Sequence, residues 1–177
     1  MSTGDIGESL VGAYLRHVEK CSIVTYNNFF AERQGEVDVV GIKPALPGQR
    51  RIAYICEVTT HTGGMARVRG KLATRDVMLA KLERLRDFAA ETFPDEEHRY
   101  QWWSPYVAEG AFTRFFAELE EEWERQERSL EFVVNAKYTA RIDELIDNAR
   151  GNSSTTNEPA YRLLQILTRL RGTKPRL

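Results

Sequence analysis

Apolar residues along this chain follow two spacings, one typical of strands and one typical of helices. Five short runs predict strands, at residues 22–27, 36–42, 51–59, 100–108 and 130–135. The stronger runs are rich in β-branched residues, and two of the five are weaker. Apolar positions three and four apart predict helices at residues 4–20, 71–91, 111–128, 139–150 and 159–170, and Thr139 is expected to cap the fourth of these. The apolar side of the helix at 71–91 is predicted to consist of Leu72, Val77, Leu79, Leu82, Leu85 and Phe88. Glycine and proline clusters separate these elements, as turn residues do in globular proteins.

This order of elements predicts an α/β fold built on a single mixed β-sheet flanked by helices. The first three strands are close in sequence and are expected to form an antiparallel meander, which later strands join through crossover connections. The expected architecture is an αβββαβ core with extra C-terminal helices. Because no repeat and no second core is visible, residues 1–177 are predicted to form one domain, with a core at residues 4–136 and a helical extension at residues 137–177.

Composition limits the classes of protein to which this chain can belong. Hydrophobic residues make up 42% of the chain and charged residues 29%, ordinary values for a globular protein. No apolar stretch approaches the ~20 residues of a membrane helix, and the first residues lack the pattern of a signal peptide. Cys21 and Cys56 lie among apolar residues without metal-site spacing, which predicts buried thiols. A cytoplasmic protein without membrane partners is therefore expected.

Charge is distributed unevenly, although the formal net charge is only −1. Between Met65 and Arg86 there are seven basic residues and two acidic ones. Such a basic stripe is either a footprint for phosphate groups or a solvated helix face, and the sequence leaves both open. If it binds nucleic acid, the residues expected to hold phosphates are Arg67, Arg69 and Arg75.

Three acidic residues, Glu8, Asp38 and Glu57, carry the strongest chemical signal. Asp38 lies inside one apolar run and Glu57 ends the next, and burying a carboxylate costs several kcal/mol unless a partner is present. In an antiparallel pair, an early position on one strand faces a late position on its neighbour. Asp38 and Glu57 are therefore expected to meet at one end of the sheet. Glu8 lies on a small and apolar stripe of the first helix that could face the same end.

A divalent cation is a natural shared counter-ion for these carboxylates. Mg²⁺ (or Mn²⁺) prefers oxygen ligands and keeps several waters, so Asp38, Glu57 and the backbone carbonyl of Val58 would suffice to hold it. The ion would lower the pKa of a bound water and neutralise charge on a phosphoryl oxygen. The competing interpretations are a turn hydrogen bond for Asp38, an arginine partner for Glu57 and simple solvent exposure for Glu8.

Three segments together resemble the PD-(D/E)XK, or restriction-endonuclease-like, nuclease superfamily, especially its Holliday-junction-resolvase-like and RecB-like members. They are Gly7-Glu8 with Tyr14-Leu15, residues 35–41 around Asp38, and residues 55–59 around Glu57. The resemblance implies a metal-dependent endonuclease that hydrolyses DNA phosphodiester bonds. It also implies that Asp38 and Glu57 bind the metal and that Glu8 is an outer or second-metal ligand. The fold further suggests a homodimer by analogy.

The chain departs from this family where the family has a lysine, because Thr59 stands at that position. That lysine would orient the attacking water and stabilise developing negative charge. Three alternatives remain open. Lys71 reaches in from the following helix, or Thr59 works with the metal alone, or the domain is catalytically degenerate and only binds nucleic acid or a protein partner.

The most aromatic stretch of the chain is residues 100–106, which contains two tryptophans and two tyrosines. If exposed, it could stack the bases of an unpaired strand. Packing in the core or at a subunit interface is the other interpretation, because large aromatic side chains bury much apolar surface.

Overall fold

The computed structural model describes residues 5–29, 35–60, 75–108, 110–154 and 156–172. Its helices and strands follow the order that the sequence predicts, with small differences at their ends. In chain order they are α1 (Ile6–His17), β1 (Ile23–Phe29), β2 (Glu36–Lys43), β3 (Ile52–Val58), α2 (Arg75–Thr92), β4 (Glu97–Ser104), α3 (Ala111–Arg125), β5 (Ser129–Val134), α4 (Ala136–Gly151) and α5 (Pro159–Gly172).

The five strands form one mixed sheet in the order β1-β2-β3-β4-β5. The first three strands pair antiparallel, and β3, β4 and β5 pair parallel. The α/β fold class and the antiparallel meander are thus confirmed. Parallel pairing brings the carboxyl ends of β3, β4 and β5 to one edge of the sheet, here called the carboxyl edge. Antiparallel pairing brings the start of β2 to that same edge.

Helices cover both faces of the sheet, and each face has its own apolar core. On one face, α2 and α3 pack against the sheet through side chains such as Leu82, Leu85 and Phe116. On the other face, α1, α4 and α5 pack together and against the sheet through side chains such as Leu15, Leu145 and Tyr161. The central strands β2 and β3 are therefore buried on both sides, which explains why they are apolar runs with little alternation.

The start of α1 lies against the end of β3. Asp5 caps the helix, because its Oδ1 accepts hydrogen bonds from the backbone N–H of Gly7 at 2.7 Å and of Glu8 at 3.0 Å. A Cβ atom on Gly7 would come within 2.0 Å of the Thr60 side chain. Glycine at this position therefore lets the helix approach the carboxyl edge closely, and Glu8 follows directly.

Some element ends differ from the sequence expectation. Helix α4 begins at Ala136 with Asn135 as its N-cap, so the expectation that Thr139 caps this helix is wrong. The Asn135 side chain instead bonds both backbone polar groups of Val107 and ties the loop after β4 to the end of β5. Strand β4 ends at Ser104, directly before Pro105, since proline cannot donate to a sheet ladder.

Cys21 and Cys56 are buried and carry free thiols, as predicted. Burial raises the pKa of the Cys21 thiol to about 12 and that of Cys56 well above its ordinary value, so both stay protonated.

Within the parts of the chain that the structure describes, no helix has both the length and the apolar character needed to cross a bilayer.

Candidate active site

Asp38 and Glu57 lie side by side at the carboxyl edge. The register between β2 and β3 pairs Val39 with Cys56, and Asp38 and Glu57 are each the next residue towards that edge. Asp38 Oδ2 accepts a hydrogen bond of 2.6 Å from the backbone N–H of Val58. Glu57 is only 5% exposed, and Asp38 is half-buried. The prediction that an early position on one strand faces a late position on the next is thus confirmed.

Lys81, from α2, forms an ion pair with Glu57 through Nζ and Oε1. Its position within α2 explains this contact, because Met78, Leu82 and Leu85 on the same helix are all buried against the sheet. Met78 and Leu85, three residues before and four residues after Lys81, thus share its side of the helix. The Lys81 side chain is 34% exposed, so the ammonium reaches Glu57 from a partly covered position.

Burial and charge act in opposite directions on the ionisable groups here. Burial lowers the pKa of the Lys81 ammonium, and the neighbouring Asp38 carboxylate partly restores it. Burial raises the pKa of Asp38, while the Val58 N–H and the Lys81 charge lower it. One ammonium group therefore offsets the negative charge of two carboxylates, Asp38 and Glu57.

Glu8 completes the acidic group at this edge. Burial, and secondarily the charge of Asp38, raise the pKa of Glu8 from an ordinary value of 4.5 to about 7. Its Oε2 atom is buried and has no hydrogen-bond partner among the residues that the structure describes. Glu8 is half-buried, which excludes the interpretation that it is an exposed helical glutamate. A carboxylate in this situation needs either a proton or a cation.

In the metal-free protein, the gain in stability of Glu8→Gln over wild type should be larger at pH 8 than at pH 5. Because folding raises the Glu8 pKa, the native state holds a proton that the unfolded state loses above pH 4.5, so wild-type stability falls between about pH 4.5 and 7. Urea unfolding of both proteins at pH 5 and pH 8 measures the difference. The exposed Glu83→Gln variant of α2 is the control, and an equal difference at both pH values for Glu8→Gln would contradict the expectation.

Of the other residues predicted for the site, some lie within the described parts of the chain and some lie outside them. Thr59 is half-buried just beyond β3, and its backbone N–H donates to the carbonyl of Trp103 at 2.8 Å. Arg75 is exposed at the start of α2 with its guanidinium 4.8 Å from the ring centre of Phe115. Three predicted residues lie outside the described residues, and their expected roles remain predictions: Arg67, Arg69 and Lys71.

The donors at the carboxyl edge match the chemistry of a hard divalent cation. Asp38, Glu57 and Glu8 supply carboxylate oxygens, and the buried Glu8 Oε2 has no hydrogen-bond partner in the described chain. These are the ligands that Mg²⁺ and Mn²⁺ prefer. Among the described residues, however, no three acidic, histidine or cysteine side chains are close enough together to hold an ion, and Glu57 is paired with Lys81. Binding would therefore require Glu57 to exchange Lys81 for the cation.

The aromatic stretch 100–106 is mostly core. Trp103 packs under α1 and α4 on one face of the sheet, and Trp102 lies on the other face, below Lys81. The exception is Tyr106, which is 57% exposed just after β4. Core packing is therefore confirmed for the two tryptophans and for Tyr100.

Lys81 is the residue that the sequence interpretation missed. The predicted apolar side of this helix included Val77, which is 53% exposed in the structure, and omitted Met78, which is buried. Lys81 lies three residues after Met78 and four before Leu85, both of which are buried, and so on the same side of the helix as they do. A single lysine inside the apolar stripe of the helix that follows the strand of Glu57 is the signal that could have identified it.

No family model, curated protein or solved structure matches this chain. A functional assignment therefore depends on the groups gathered at the carboxyl edge. These groups are three carboxylates, from α1, β2 and β3, and one ammonium from α2. Ionisable groups with perturbed pKa values that cluster in this way are typical of catalytic and ion-binding sites.

Proposed function

We propose that this protein is a metal-dependent nuclease of the PD-(D/E)XK type that hydrolyses DNA phosphodiester bonds. The observation that supports this most directly is the Lys81–Glu57 ion pair beside Asp38. This contact supports the proposal because it brings together an aspartate, a glutamate and a lysine, the residue types of the family pattern, although Thr59 stands at the lysine position in sequence. In this proposal Lys81 of α2 takes the position of the missing motif lysine, and Lys71 is not required.

Each residue of the cluster would have a distinct task. Asp38, Glu57 and the Val58 carbonyl would hold Mg²⁺ or Mn²⁺, and Glu8 would support it as an outer ligand. The bound ion would supply charge neutralisation at the phosphoryl group and acidify a water. The Lys81 ammonium would orient the attacking water and stabilise negative charge that develops on the phosphate. Thr59, next to Glu57, would donate a hydrogen bond from its hydroxyl.

The substrate and setting follow from the same proposal. Arg75, exposed at the start of α2, would contact DNA phosphates together with Arg67 and Arg69, and these contacts would weaken as salt rises. The free thiols of Cys21 and Cys56 support a cytoplasmic setting. A homodimer is the assembly proposed by analogy with this fold.

One observation favours a second candidate, a catalytically degenerate nuclease-fold module that binds nucleic acid or a protein partner. Glu57 already has a charged partner in Lys81, so the pair could serve packing alone. In that case the acids would be a structural feature, and the domain would neither bind a divalent cation at this edge nor cleave DNA.

A cleavage assay tests the proposal directly. Wild-type protein is incubated with plasmid, linear, single-stranded and branched DNA, each with Mg²⁺, with Mn²⁺ and with EDTA. The nuclease proposal expects metal-dependent cleavage of at least one of these substrates. Absence of cleavage on all of them, with the protein folded, favours the degenerate module.

Thermal melting distinguishes the two candidates without requiring the correct substrate. For the wild type at 10 mM Mn²⁺ and a dissociation constant near 1 mM, binding to the native state adds about 1.4 kcal/mol. For a chain of 177 residues this raises Tm by about 3–6 °C. Glu57→Gln, which removes one charged ligand, should lose most of this rise.

The control for this measurement is Glu97→Gln. Glu97 is exposed at the start of β4, at the opposite edge of the sheet, so its variant should keep the full Mn²⁺ response. A rise of equal size in wild type and Glu57→Gln would show that the ion binds elsewhere.

A further inference from the structure

Trp102 of β4 lies directly beside the Glu57–Lys81 pair. In the parallel register between β3 and β4 it is the residue opposite Glu57. It is only 3% exposed, and the Lys81 Nζ lies 5.5 Å from the centre of its ring. An ammonium at this distance from an indole face is attracted by the ring quadrupole, and tryptophan provides the strongest such face.

The indole is itself held in place by a stack of aromatic rings. Trp102 stacks on Phe132 of β5 with ring centres 6.3 Å apart, and Phe132 stacks on Phe116 of α3 at 4.1 Å. The three rings join two strands and a helix on the α2–α3 face of the sheet. The surface below Lys81 is therefore rigid, since close-packed rings in a core cannot shift independently.

Tryptophan carries a cost at this position. The buried Trp102 Nε1 has no hydrogen-bond partner among the described residues, whereas Trp103 Nε1 donates to Gln101 at 3.1 Å. A buried donor without a partner destabilises the fold, and phenylalanine would fill most of the same space without one. The ring face that Trp102 presents to Lys81 is the feature that phenylalanine would supply less strongly.

We propose that Trp102 is a positioning residue that keeps the Lys81 ammonium at the carboxyl edge. This inference rests on the proposed nuclease function. In the structure Lys81 has two attractive neighbours, the Glu57 carboxylate and the Trp102 ring. With Glu57 holding a cation, the ring would remain as the neighbour that fixes Lys81 where the attacking water must be oriented.

The first test compares Trp102→Leu and Trp102→Phe with the matched core variant Trp123→Phe. Trp123 of α3 is buried on the same face but packs edge-to-face against Tyr100, with ring centres 5.0 Å apart. Trp102→Leu should lower kcat about tenfold and Trp102→Phe less, with KM unchanged. Trp123→Phe should keep the wild-type kcat. In metal-free melting, Trp102→Phe should lower Tm by no more than Trp123→Phe does, because Trp102→Phe also removes the unpaired Nε1 donor.

The second test repeats Trp102→Leu in a Lys81→Met background under single-turnover conditions. A positioning role predicts no further loss there, because the group that Trp102 holds is gone. The same fold-loss in both backgrounds, or a wild-type kcat for Trp102→Leu, would overturn the inference. Asp38→Asn, measured alongside, distinguishes a failure of this inference from a failure of the proposed function. If Asp38→Asn is inactive while Trp102→Leu has a wild-type kcat, only this inference fails; if Asp38→Asn cleaves, the proposed function fails.

Discussion

Asp38→Asn is expected to abolish cleavage while leaving the fold at least as stable as wild type. The substitution removes the charge that would hold the cation, and loss of several kcal/mol of transition-state stabilisation lowers kcat by about 10³-fold or more. The amide oxygen of asparagine can still accept the 2.6 Å hydrogen bond from the Val58 N–H. Because burial raises the pKa of Asp38, a neutral side chain costs less to bury than the carboxylate does.

The measurement for Asp38→Asn is cleavage rate together with Tm in the absence of metal. Glu97→Gln at the opposite edge is the control and should cleave as wild type does. Loss of cleavage with an unchanged or higher Tm would separate a chemical role from a structural one. Wild-type cleavage by Asp38→Asn would exclude Asp38 as a metal ligand and would remove the main support for the nuclease proposal.

The fold was predictable because most of its helices and strands can be recognised from short stretches of the sequence. The β-branched runs of β2 and β3 and the loop between them, with its two prolines, predict an antiparallel pair. The start of β4 was less evident, since Glu97, His98 and Arg99 are polar although they pair with Ile52, Ala53 and Tyr54. Their position at the rim of the sheet lets these side chains reach solvent, so the alternation typical of a strand is weak there.

The candidate site was predictable only in part, for a geometric reason. Two residues on paired strands have a relative position fixed by the register, so Asp38 and Glu57 could be brought together from the sequence. A helix is different, because a shift of one residue in its assigned apolar face rotates it by about 100°. The apolar side assigned from the sequence contained the exposed Val77 and not the buried Met78, and only the packing of α2 on the sheet sets the rotation that brings the Lys81 ammonium to Glu57.

In the proposed nuclease, the Glu57–Lys81 pair would link the binding of a cation to the position of the lysine. Lys81 and a metal ion are both positively charged and would both be attracted to Glu57. In the proposed nuclease the ion pair would thus be the metal-free arrangement, and Glu57 would hold the ion in place of Lys81. Removing the lysine should therefore affect metal affinity and cleavage in opposite directions, which an account based on packing alone does not predict.

Lys81→Met is expected to lower kcat by about 10²–10³-fold, the usual cost of removing one group that stabilises charge in the transition state. It leaves the buried Glu57 without its charged partner, so metal-free Tm should fall. The same loss makes Glu57 fully available to a cation. The Mn²⁺-induced rise in Tm should therefore be larger in Lys81→Met than in wild type, although the variant cleaves far more slowly.

Lys43→Met is the matched control for this prediction. The Lys43 side chain is also 34% exposed and also pairs with a glutamate, Glu19, at 3.2 Å, but it lies at the end of β2 away from Asp38. It should keep both the wild-type kcat and the wild-type response to Mn²⁺. If Lys81→Met cleaves as fast as wild type, the ammonium has no part in the chemistry. If Lys81→Met instead shows slow cleavage together with a smaller Mn²⁺ response, the lysine supports the cation site rather than competing for Glu57.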